Sequence, residues 1–96
     1  MWLAFNMKLL QWIYPQIPPA HWLTQLTADD AILLRQDGVY AMRLAWPELA
    51  SRCYVLQLDA QARAFNPSAP WQPISDQQWV ELVAAAEQVV LCPKSS

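Results

Sequence analysis

Apolar residues in this chain fall in short blocks separated by turn-forming residues, and the spacing within the blocks changes along the chain. Ala31–Leu34 is an unbroken apolar run, preceded by Asp29-Asp30 and followed closely by Asp37-Gly38. So short a run, bounded by turn residues, fits a strand buried on both faces. Periodicity alone leaves a short buried helix open; the flanking Asp and Gly favour the strand. Residues 53–58, Cys-Tyr-Val-Leu-Gln-Leu, are rich in β-formers and read as the next strand. The period then changes. Trp79, Leu82, Val83 and Ala86 recur at i, i+3, i+4 and i+7, which lines one face of a helix. Ser75 with Gln78 three residues on is a capping-box pattern, and Asp76 places negative charge where the helix dipole favours it.

The remaining blocks are shorter. Residues 2–5 read as a first strand. In residues 8–14, Leu9, Leu10 and Ile13 could line a helical face, but Pro15 ends the pattern. Pro18-Pro19 suit the entry to a short helix over 20–27 that buries Trp22, Leu23 and Leu26. One helical turn over 39–44, a second short helix over 46–50 and a turn capped by Asp59 through residue 64 follow. Pro67, Pro70 and Pro73 make 65–73 a loop or edge segment, and 89–92 reads as a last strand stopped by Pro93. Strands alternating with helices predict a small α/β fold, a mostly parallel sheet flanked by helices. Ninety-six residues are enough for one domain.

Gly38 is the only glycine. A lone glycine after a strand predicts a positive φ and a sharp turn. That turn would present Asp37, Val39 and Tyr40 at the carboxyl edge of the sheet, where ligands and partners of open α/β sheets bind. A purely structural turn is the competing reading.

Composition changes the picture in one respect. Apolar residues make up 55% and charged residues 15% of the chain, against ordinary values of about 45–50% and about 25%. So little charge cannot coat a monomer's surface, which points to a covered subunit interface. Six tryptophans push the same way. Trp46 and Trp71, beside prolines in loops, are the better interface candidates, whereas helical phase puts Trp79 in the core. A net charge of −2 with scattered basic residues offers no patch for phosphates, which argues against autonomous nucleic-acid binding. No apolar run approaches the roughly 18 residues that span a bilayer. The start lacks a basic segment and a small-residue cleavage site. A cytoplasmic protein is expected.

Candidate chemistry is sparse. One glycine cannot build a phosphate loop, and one histidine, His21, builds no metal cluster. No cofactor or metal is expected. Asp29-Asp30 read as a solvated turn rather than a catalytic pair. Cys53, inside a strand, reads as a small buried hydrophobe. Cys92, ending a strand with Lys94 near in sequence, is the one candidate for an accessible, activated thiolate.

Three segments together resemble the DsrH/TusB family of sulfur-relay proteins. They are residues 28–41 (Ala-Asp-Asp-Ala-Ile-Leu-Leu-Arg-Gln-Asp-Gly-Val-Tyr-Ala), Cys53-Tyr54-Val55-Leu56 with Asp59 and Ala62-Arg63-Ala64-Phe65, and Ile74 through Trp79-Val80-Glu81-Leu82 to Val89. The resemblance covers roughly residues 27–92. It implies a flavodoxin-like fold and a place in a heterohexamer with DsrE/TusD-like and DsrF/TusC-like sister subunits, passing persulfide sulfur toward tRNA 2-thiouridine or serving sulfur oxidation. It places the catalytic cysteine in the sister subunit. Some relatives carry a cysteine in the first helix; here that position falls near Trp22. Ala64 stands where the family often has glycine, and Cys92 near its terminal tryptophan. The expectation is a non-catalytic structural subunit, with Asp37, Gly38, Val39, Tyr40, Trp46 and Trp71 toward partners. The alternatives are a persulfide carrier using Cys92, a subunit of a sulfur-oxidation complex, and a stand-alone homo-oligomer.

Overall fold

A computed structural model describes residues 7–91. Five parallel strands, β1 (Lys8–Trp12), β2 (Ala31–Leu34), β3 (Arg52–Leu56), β4 (Gln72–Ile74) and β5 (Gln88–Leu91), form one sheet in the order β4-β3-β2-β1-β5. Three helices, α1 (Ala20–Leu23), α2 (Gln57–Ala62) and α3 (Asp76–Ala85), and a 3₁₀ segment (Gln36–Arg43) make the connections. The architecture is α/β and flavodoxin-like.

The strand order explains where the helices lie. From β1 to β4 the chain steps in one direction across the sheet, and parallel crossovers are right-handed, so these connections fall on one face. There Leu23, Leu26, Val39 and Ala60 pack on Leu10, Trp12, Ile32, Leu34, Cys53 and Val55. The return from β4 to β5 runs the other way and must take the opposite face. Leu82 of α3 is buried there on Met7, Leu9, Ala31, Leu33, Tyr54, Leu56 and Ile74, with Trp79, Val83 and Ala86 alongside. The central strand reads as apolar throughout because β2 is covered on both sides, each of its four residues being fully buried.

The helix stripe and its cap form as the sequence pattern requires. The Ser75 hydroxyl accepts from the Gln78 backbone N–H at 3.1 Å, and the Gln78 carboxamide oxygen accepts from the Ser75 N–H at 2.8 Å. Other expectations need correction. Residues 8–12, whose pattern is ambiguous, form a strand, because Leu9 is needed in one cluster while Leu10 and Trp12 are needed in the other. The strand read over 2–5, and Cys92 with the residues after it, lie outside the described residues. Residues 46–50 form no helix; Trp46 is held instead by its indole N–H, which donates to the Ala41 carbonyl at 2.7 Å. Helix α2 starts at Gln57, ahead of Asp59, whose carboxylate caps another segment by accepting from the Gln36 N–H at 2.6 Å.

Gly38 does not have a positive φ. What demands glycine is contact. A Cβ there would stand on the Trp12 carbonyl oxygen, 2.9 Å from its carbonyl carbon and 3.3 Å from the Ile13 Cα. The 3₁₀ segment can therefore lie flat on the end of β1 only if residue 38 has no side chain. The left-handed positions are Gln36 (φ 51°) and Ala64 (φ 59°). Ala64 sits just past α2 in a Schellman ending: its N–H donates to the Gln61 carbonyl at 3.1 Å and that of Phe65 to the Ala60 carbonyl at 2.9 Å.

Candidate interaction site

Two crossovers on the same face, the 3₁₀ segment after β2 and α2 with its exit after β3, bring distant residues into one row. Arg43, at the end of the 3₁₀ segment, lays its guanidinium over the Phe65 ring, 4.9 Å from the centroid. Phe65 meets Tyr40 edge-on at 5.2 Å, and the Arg63 guanidinium lies 5.8 Å from the Tyr40 ring. Arg63 then pairs with Asp37 at 3.0 Å and donates to the Asp59 carbonyl at 3.2 Å. The result is a ledge, Arg43–Phe65–Tyr40–Arg63–Asp37, in which each member fixes the next. The Schellman ending is what turns Phe65 onto it.

A cleft of about 670 Å³ continues from the ledge, with Met42 lining both it and a small hollow beside Arg43. Trp46 and Trp71 meet there at 4.9 Å in a tilted, edge-to-face arrangement. Ser51, Cys53 and Tyr54 also line the cleft. The Ser51 hydroxyl is buried and has no hydrogen-bond partner among the described residues.

The residues singled out from sequence divide on burial. Asp37 is exposed and Tyr40 is 37% exposed, so both are open to a partner. Gly38 and Val39 are buried beneath them and hold the segment down. Trp46 is half-buried, whereas Trp71 is buried and forms the floor under it. What sequence reading passed over is Arg43, Arg63 and Phe65. The one available signal was Ala62-Arg63-Ala64-Phe65 directly after a strand and turn.

Three further features bear on chemistry. Cys53 is buried, its Sγ–H pointing to the Ser51 carbonyl at 3.6 Å, and burial pushes its thiol pKa up, away from the thiolate a sulfur acceptor needs. Asp30 is buried, not solvated as the sequence suggested. Its carboxylate accepts from the backbone N–H groups of Lys8 and Thr27, both at 2.9 Å, and from the Thr27 hydroxyl at 3.2 Å. Burial alone would raise its pKa; these hydrogen bonds and the Lys8 charge outweigh it and leave the pKa lowered. On the other sheet face, Arg35 donates to the buried Gln11 side chain at 2.6 Å and stacks over Trp79 at 5.2 Å. Among the described residues, no group of three or more His, Cys, Asp or Glu side chains could hold a metal, and no helix is long and apolar enough to cross a membrane.

The model of the family described as "DsrH like protein" matches residues 20–89, from the start of α1 into β5. The chain belongs to the DsrH-like family. The matched span includes every residue of the ledge and the whole cleft lining. Membership makes this DsrH-like chain a sulfur-relay protein by family. Comparison with curated proteins gave no match.

Proposed function

We propose that this DsrH-like chain is a non-catalytic structural subunit of a cytoplasmic sulfurtransferase complex. It assembles with DsrE/TusD-like and DsrF/TusC-like sister subunits in a heterohexamer, and the complex supplies sulfur for tRNA 2-thiouridine. Family membership carries the reading. The state of Cys53 supports it. In persulfide relay an acceptor thiolate attacks the outer sulfur of the donor persulfide, the S–S bond breaks, and the donor leaves as a thiolate. A buried thiol with a raised pKa is poorly placed to be that acceptor. The apolar, charge-poor composition and the aromatic ledge and cleft fit a chain whose work is done by surfaces.

The test is transfer of labelled persulfide sulfur through the complex reconstituted with its sister subunits. Cys53→Ala and Cys92→Ser are expected to leave transfer near the parental rate. Mass spectrometry of this chain after exposure to the donor should show no added sulfur. Loss of transfer by orders of magnitude in Cys92→Ser, with an adduct of about 32 Da on the parent that the variant lacks, would overturn the structural reading and establish a carrier.

A further inference from the structure

We propose that the Arg43 end of the ledge recognises a carboxylate side chain, an Asp or Glu set among apolar residues on a sister subunit. The proposal rests on the subunit reading above and names the chemistry of the contact.

Arg63 and Arg43 differ in what is left for a partner. Arg63 is already paired with Asp37 and bonded to the Asp59 carbonyl. Arg43 is exposed and makes no hydrogen bond or ion pair among the described residues. Its guanidinium is nonetheless seated over the Phe65 ring, 4.9 Å from the centroid, and that ring meets Tyr40 edge-on at 5.2 Å. A cation–ring contact consumes no N–H donor, so the guanidinium keeps its donors for the fork that matches a carboxylate. Because the side chain is already ordered, less rotamer entropy remains to be lost on binding.

A hollow of about 150 Å³ opens beside it, lined by Arg43, Phe65, Ala64, Met42, Asn66 and Ser68. The Asn66 amide and Ser68 hydroxyl are further donors there, neither bonded to another described group. This is room for the tip of one acidic side chain, with apolar walls on two sides. An isolated exposed ion pair is worth little in water. A small free anion would therefore bind weakly, whereas a protein surface that covers the ledge and excludes water would strengthen the pair. Tyr40, partly exposed beside it, and the Trp46–Trp71 cleft beyond it supply the apolar area such a surface would cover.

The experiment titrates the full chain against its DsrE-like and DsrF-like sisters, at low and high salt, by calorimetry and sedimentation. Arg43→Glu should weaken assembly at least 100-fold. Arg43→Lys, which keeps charge but loses the planar fork, should weaken it about 10-fold. Glu81→Gln, on the outer helix of the opposite sheet face, should change nothing. Parental affinity should fall with salt, and that of Arg43→Gln should fall much less. Parental affinity in Arg43→Glu, or an equal loss in Glu81→Gln, overturns the proposal. Failure of the unaltered chain to bind either sister refutes the subunit reading instead. The Arg43 site is then decided on the isolated chain by NMR with sodium acetate. Weak shifts confined to the Arg43 Nε–H and the Ser68 amide, with the Ser68 shift lost in Arg43→Gln, support it, and a drift shared equally with Arg52 overturns it.

Discussion

Replacing the single glycine tests the packing argument directly. In Gly38→Ala the new Cβ would overlap the Trp12 carbonyl oxygen and sit 2.9 Å from the carbonyl carbon. Both atoms are backbone, so no side chain can swing aside. The chain must open by roughly 1 Å to restore ordinary contact, and overpacking of this kind costs about 1–3 kcal/mol. The same Trp12 carbonyl accepts the Arg35 N–H at 3.1 Å, a bond that holds the exit of β2 against β1. Its loss adds about 1 kcal/mol. A total of about 2–4 kcal/mol is a large part of the roughly 5–14 kcal/mol expected for a chain of this length. Urea or thermal unfolding should show a midpoint lower by about 10 °C or more. Gly38→Asn separates contact from backbone conformation. Asn tolerates a left-handed φ, so it would be mild if φ were the reason for glycine, but it should cost as much as Ala if contact is. An Ala variant within about 0.5 kcal/mol of the parent, or a tolerated Asn beside a damaging Ala, would refute the reasoning.

Two further outcomes follow from the same structure. Ala64→Gly should stabilise the protein: relief of a left-handed alanine gains about 1–2 kcal/mol, greater freedom of the unfolded chain returns about 0.4–1, and a midpoint that fails to rise would show the αL cost is absent. Asp30→Asn should cost about 1–3 kcal/mol at neutral pH, by turning an amide group against backbone donors. Because the folded pKa of Asp30 lies below its ordinary value of 3.8, its stabilisation is complete above that value and is lost as pH falls through the lower folded one. The gap between parent and variant, followed by urea titration from pH 7 downward, should therefore close in acid; a constant gap would contradict the charge argument.

Local signals in the sequence determined a good part of this protein. The continuous run Ala31–Leu34 can exist in water only if both faces are covered, which makes it a central parallel strand. Ser75 and Gln78 satisfy each other's backbone donors within four residues, so the start of α3 needs no tertiary partner. Its apolar stripe then says which face meets the sheet.

Tertiary structure decided the rest, wherever the partner of a residue lies far along the chain. The alternation that makes Lys8–Trp12 a strand is visible only once two separate cores exist to receive its two faces. The residue with no side chain stands at Gly38 because β1 passes beneath it, and the residues with a left-handed φ are Gln36 and Ala64, so local turn rules misplace both roles. The ledge joins the 3₁₀ segment to the exit of α2, more than twenty residues on. Right-handed crossovers stepping one way across a sheet put both on the same face, and that long-range geometry, not any motif, is what sets Arg43 on Phe65 and Trp46 on Trp71.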